Sequence, residues 1–275
     1  MLVKNKLIHE TPETRIWFHP FNHPDEHRDM LEKVKISRAF NLRFRGLVEY
    51  YGDDLIAYKR EQMANQKRND FLTSFAHYMT DHLEDDCPAS WKECGPSFWE
   101  ELIFAYLPDT MKVTPHNNYT QQFLIELRKF VRWLDKRNET ACSEVVESFL
   151  TDAFPLLKKC EILFSQLFLK NYPGVHRADW DYMNDIERLD RTMEQFQETV
   201  YGVFEVSEII EGGIILLDLH SNDSYFTKNI SDKTIDQDVM LSGVIGKRKH
   251  EFLWELAYVD GVYPRRGLPY IEMIE

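Results

Sequence analysis

Cysteine is scarce in this chain. Four residues, Cys87, Cys94, Cys142 and Cys160, are spread over 275 positions, too few for a disulfide scaffold. The first residues, MLVKNKLIHE, lack the apolar run of a signal peptide. Both point to a cytoplasmic protein with free thiols. Long hydrophobic runs are missing too. Ile214 to Leu217 stops at Asp218, and the stretch from Leu163 to Leu169 follows Lys158 and Lys159; neither approaches the roughly 20 residues that span a bilayer. The Asn-x-Ser/Thr triplets at Asn118, Asn138, Asn222 and Asn229 are then chance matches, since glycosylation requires secretion. No GxxxxGK[ST], HExxH, GxSxG or CxxC occurs, and Gly243-Val-Ile-Gly246-Lys247 is too short to cradle a phosphate. The familiar enzyme classes have no support. No catalytic residue, metal or cofactor is expected. Positive charge is in deficit as well: 33 basic against 46 acidic residues gives −13, which opposes non-specific binding to nucleic acid or anionic lipid.

What is present is enough apolar material, 43% hydrophobic and 13% aromatic, to bury a core. Its periodicity changes once. Up to about Val200 the apolar residues recur at helical spacing, and past Tyr201 they form short β-rich runs between turn residues. The fold class expected is therefore α+β: a multi-helical N-terminal domain over residues 1–198, then a small, mostly antiparallel β-barrel over 199–275. Phe71, Phe75, Met79 and Leu83 step by four and mark one helix, ended by LEDDCPAS. Ser97 with Glu100 reads as a capping box for Phe98 to Leu107. Leu124, Leu127, Val131 and Leu134, widened by Phe123 and Phe130, make an amphipathic core helix. Pro155 should kink or split the helical tract from Ser143 to Lys170. Tyr182, Ile186, Leu189, Met193, Phe196 and Val200 alternate steps of four and three like a heptad seam, which the chain's own helices are expected to cover in a monomer.

The stretch KVKISRAFNLRFRG, Lys33 to Gly46, holds five basic residues and no acidic one. As a strand it would put Arg38 among the apolar residues. As a helix it places Ile36, Phe40, Phe44, Leu47 and Tyr51 in one sector, at about 100° per residue. The helix reading leaves Lys35, Arg38 and Arg45 as an outward basic stripe. That stripe is either a solvated face paired with surplus carboxylates or a nucleic-acid contact.

After Val200, Tyr201 to Ile210 and Ile214 to His220 read as a hairpin about Glu211-Gly212-Gly213. Tyr225 to Lys228 follows, then Val239 to Ile245 and Phe252 to Tyr258 pair about GKRKHE. Closure into a barrel hides strand edges. Tyr225, Phe226, Phe252 and Trp254, with Lys247, Arg248, Lys249, Arg265 and Arg266, could in principle stack and follow a single strand. Yet from Tyr201 to Glu275 there are 7 basic and 13 acidic residues, a net of −6, so these aromatics read better as barrel core and rim.

Several groups carry side chains of metal-binding or acid–base type. His19, His23 and His27 have helical metal spacing, but Pro20 and Pro24 interrupt it. His77, Asp81, His82, Cys87 and Cys94 are the right ligand types without zinc-knuckle spacing; within them His77, Asp81 and His82 form a candidate polar cluster. Asp179, Asp181, Asn184 and Asp185 echo a calcium loop that lacks its glycine and read as an acidic helix start.

YGVFEVSEIIEGGIILLDLHSNDSYFTKN, with LSGVIG and GLPYIE, resembles a small β-barrel module of uncharacterised bacterial proteins, many of which carry a Cys/His SEC-C zinc motif. This chain has no cysteine after Cys160, so that resemblance implies no metal site. FLTSFAHYMTDHL followed by QQFLIELRKFVRWLDKR, within Asp70 to Arg137, is similar to the helical SAM-like core-binding domain of tyrosine recombinases. Their catalytic Arg/His/Arg/Tyr domain has no counterpart, so strand cleavage is not implied. The missing motifs, together with two resemblances of interaction type, suggest a non-enzymatic binding or adaptor protein with a protein partner; the composition adds a cytoplasmic location and no membrane contact. The alternatives are a nucleic-acid-associated protein using the basic stripe, and an enzyme with a non-standard His/Asp site.

Overall fold

The computed structural model describes residues 21–49, 51–228, 230 and 235–271, with the side chains of residues 48 and 49 left aside. Among them, helices come first and strands second. The fold is α+β, a helical N-terminal part followed by a small, mostly antiparallel sheet.

The helices are α1 (Pro24–Ser37), α2 (Phe44–Glu49), α3 (Gly52–Arg60), α4 (Gln66–His77), α5 (Pro96–Glu101), the single turn α6 (Leu107–Asp109), α7 (Tyr119–Asn138), α8 (Cys142–Asn171) and α9 (Tyr182–Met193). As the spacing predicts, Phe71, Phe75 and Met79 from the α4 region and Leu124, Leu127, Val131 and Leu134 from α7 are buried together. Phe75 stands at the centre, its ring meeting Trp91, Trp99 and Phe130.

Several helix limits differ from the expectation. The basic stretch is not one helix: α1 stops at Ser37, a 3-10 turn covers Arg38–Phe40, and Asn41 takes a left-handed conformation at φ 54°. Asparagine tolerates that region, and the break lets Phe40 and Leu42 both reach the core. Phe44, expected on the buried face, is 52% exposed. Ser97 is not the cap of α5; Gly95 holds that position and Pro96 is the first helical residue, where its missing N–H costs nothing. Glu100 instead accepts from Arg266 and Tyr270. Pro155 does not split α8, which runs unbroken for 30 residues. Both Pro155 and Thr151, whose carbonyl loses its donor, lie on the exposed side, where water serves that carbonyl. The heptad seam ends early, because Phe196 and Val200 belong to the first strand. The Phe196 ring lies against Gly246, where a Cβ would come within 2.4 Å. Tyr182 is exposed, and Ile186, Leu189 and Met193 are only half-buried, so no helix among the described residues covers that seam fully.

The strands are β1 (Phe196–Ile210), β2 (Gly213–Asp218), β3 (Ser224–Lys228), β4 (Val239–Arg248) and β5 (Trp254–Pro264). β1 begins on the helical side of the division expected at 198. It pairs along one edge with β2 and along the other with β4, so the order β1-β2-β3-β5-β4 returns to its start. The ring closes through a short parallel seam, Thr227↔Trp254 and Lys228↔Glu255, while the other ladders are antiparallel. Gly243 faces a bulge: Ser242 pairs Gly261 and Gly243 pairs Val259, leaving Asp260 unpaired. Phe204, Val206, Ile214, Leu216, Leu241, Ile245, Val259 and Val262 fill the interior, together with Cys160, Leu163, Phe164 and Leu167 from α8 and Met111. The barrel is thus packed solid and roofed by a helix of the other part.

Candidate functional site

The best-defined polar constellation lies where two π-helical turns meet, Tyr78–Leu83 after α4 and Leu102–Tyr106 after α5. Such turns carry an extra residue and often re-aim side chains at functional sites. Here they bring His82 Nε2 to 2.9 Å from Glu101 Oε1. The imidazole lies against Tyr78, centroids 5.5 Å apart and nearly parallel, and against Tyr106 at 5.2 Å. Both tyrosines are anchored, Tyr78 donating to the Phe98 carbonyl and Tyr106 to that of Ser74. Burial pushes the Tyr78 phenol far up, so it stays a neutral wall. A carboxylate on one ring nitrogen fixes the tautomer that leaves the other nitrogen with its lone pair. The arrangement can accept a proton or a hydrogen bond.

Of the cluster His77, Asp81 and His82, the structure does not gather all three on one target. Asp81 accepts from Thr80 at 3.0 Å and pairs with Arg43 at 3.0 Å, whereas His82 turns to Glu101. The partner Glu101 was not legible: 19 positions separate it from His82, and FWEELIFAY reads only as an amphipathic helix. Cys87 and Cys94 sit apart from this pair, with Cys94 Sγ 3.7 Å from the Tyr51 hydroxyl. Among the described residues, no three His, Cys, Asp or Glu side chains come together as a metal site requires.

The basic stripe is divided by the break at Asn41. Lys35 and Arg38 are exposed at the end of α1. Arg45 sits on α2 and pairs with Asp85, one segment along from the Arg43–Asp81 bridge. Lys33 bridges Asp29 and Asp53 at 3.0 and 2.7 Å. The acidic stretch after Tyr78–Leu83 therefore meets part of the stripe.

Elsewhere the residues adopt structural roles. His19 lies outside the described residues; His23 caps α1 and His27 contacts Phe21, so the pair is not joined on a ligand. Asp181 caps α9, Asp179 pairs with Arg177, and buried Asp185 accepts from Trp180 and pairs with Arg188, as an acidic helix start should. On the barrel, Lys247 pairs with Glu198, Arg248 with Glu255, Arg265 with Glu205 and Arg266 with Glu100. Tyr225 and Trp254 meet edge to face at 4.8 Å. Phe252 differs, standing 94% exposed after the β4–β5 turn, beside exposed Lys249 and His250. No helix among the described residues is long and apolar enough to cross a membrane. Set against family models, curated proteins and solved structures, the chain matches none.

Proposed function

We propose that this is a non-enzymatic binding or adaptor protein, a bacterial two-module chain that works as a cytoplasmic monomer and holds a protein partner. The observation that supports it best is Phe252. A phenylalanine left 94% in water in the connection between β4 and β5 gives up the roughly 1.5–3 kcal/mol its burial would yield, and an aromatic whose burial awaits a partner is the kind of side chain that anchors an interface. The resemblance of the strands to a bacterial barrel module, and of the α4–α7 region to a SAM-like domain, supports the same reading. Paired basic residues on both parts weigh against nucleic acid as the partner.

The test is a capture experiment with wild type and Phe252→Ser, in nuclease-treated and untreated lysate. A partner retained after nuclease and lost with Phe252→Ser supports the reading; identical captures by both proteins, or recovery only without nuclease, would overturn it. A second reading, an enzyme using acid–base chemistry, is favoured by the 2.9 Å contact between His82 and Glu101. It requires a turnover that Glu101→Gln slows while the fold persists.

A further inference from the structure

Tyr58 on α3, Arg68 on α4 and Glu126 on α7 are 1%, 5% and 2% exposed. Each keeps one buried polar atom with no hydrogen-bond partner among the described residues: Tyr58 Oη, Arg68 Nε and Glu126 Oε2. Six of the seven such atoms lie on α3, α4 and α7, the others being Asn69, Ser74 and Thr120. A buried polar atom left unpaired costs about 1–3 kcal/mol, and native proteins satisfy nearly all of them.

The three groups are neighbours. The Arg68 guanidinium lies 3.7 Å over the Tyr58 ring and donates to the Tyr58 carbonyl at 2.6 Å. The Tyr58 ring meets Phe130, one turn beyond Glu126 on α7, at 5.2 Å. Burial pushes the Tyr58 phenol up to about 12; Arg68 lowers it, by its charge and by a side-chain approach to the hydroxyl that falls outside full hydrogen-bond geometry, and the carboxylates of Glu126 and Glu61 raise it. Glu126 Oε1 is already engaged by Lys129 at 2.6 Å, which leaves Oε2 as a free acceptor.

We infer that the α3–α4–α7 junction is a binding site for a buried water molecule held by Arg68, Tyr58 and Glu126. The donor inventory selects the guest. Arg68 Nε can only donate, ionised Glu126 Oε2 can only accept, and the Tyr58 hydroxyl can do either. An anion would be repelled by Glu126 and a cation by Arg68. A neutral molecule that both donates and accepts suits all three, and water in a polar internal site commonly makes about three bonds.

The test pairs a crystal structure of the full chain, resolving ordered solvent, with oxygen-17 relaxation dispersion of the wild type and of Arg68→Met/Glu126→Met. The expected result is a solvent oxygen within about 2.7–3.2 Å of Nε and Oε2, and loss of one long-lived water from the dispersion in the double variant. A direct bond from Arg68 Nε to Glu126 or Tyr58, an ion in place of the water, or equal dispersion in both proteins would overturn the inference. The wild-type crystal decides the matter even where the variant does not fold.

Discussion

Leu157 and Cys160 are less than one turn apart on α8, yet Leu157 is sealed in the helical core and Cys160 in the barrel core. One helix is thereby shared: Val146, Leu150 and Ala153 serve the first core, Leu163, Phe164 and Leu167 the second. Neither core can open without exposing part of the helix that the other needs.

The two parts should therefore unfold in a single transition. In urea, far-UV ellipticity and tryptophan fluorescence are expected to give coincident midpoints. Leu163→Ala, which empties part of the barrel core, should cost about 2–5 kcal/mol and move both curves together. Separate midpoints would show that α8 does not couple the parts.

The α+β division, the core stripes of α4 and α7, and the succession of five strands were legible because each rests on a period the chain keeps for several residues, whereas the parallel seam that sets β3 beside β5 was not. What was not legible depends on long-range partners. Phe196 and Val200 continue the helical spacing of α9, and only pairing with the distant β4, where Arg248 and Ile245 lie opposite them, makes them strand residues. Pro155 would break an isolated helix, but two separate cores hold its ends. Of the candidate site, His82 could be named from sequence, whereas Glu101 reaches it through two π-helical turns that leave no spacing signal.

Asp135, near the end of α7, caps the start of α8, accepting from the backbone N–H of Cys142 and Ser143 at 2.8 Å each and from Thr140 at 2.7 Å. Burial opposes ionisation, but these donors outweigh it and hold the carboxyl below its ordinary value. A depressed carboxyl stabilises the fold above the unfolded-state value near pH 4, and that contribution is lost as pH falls through the folded one. Asp135→Asn is expected to cost about 0.5–2 kcal/mol at pH 7, and the gap to wild type should shrink below about pH 4. Denaturation curves across that range measure it; a constant gap would contradict it.

Burial pushes the Cys94 and Cys160 thiols up to about 12 and Cys87 to about 11. Only the thiolate attacks, so the native chain should react slowly with dithionitrobenzoate at pH 8. Cys87, half-buried where the other three are buried, should react first. Denaturant should release all four thiols at once. A fast native phase at Cys160 would mean the roof of the barrel opens readily.

Gly243 lies opposite the bulge at Asp260, where an added Cβ would fall 2.1 Å from the Tyr258 carbonyl oxygen. Backbone cannot retreat as a side-chain tip can. Gly243→Ala should therefore cost about 2–4 kcal/mol, far more than Gly212→Ala, which meets nothing within 4 Å and strains only a turn at φ 87°. Equal losses in thermal melts would place the ladder register elsewhere.

The basic stripe is too small to hold nucleic acid on this acidic chain. Arg45 is already paired with Asp85, so Lys35 and Arg38 are the two exposed cations left to meet phosphate. At about −0.9 per contact, two contacts weaken binding by roughly a factor of 12 between 50 and 200 mM salt, a shallow dependence from a low starting affinity set by the −13 net charge. No measurable binding to a generic duplex or single strand is expected near physiological salt. Titration of labelled strands at both salts, with wild type beside Lys35→Glu/Arg38→Glu/Arg45→Glu, measures it. Submicromolar wild-type binding at the higher salt, abolished in a folded variant, would make this helix end the functional surface.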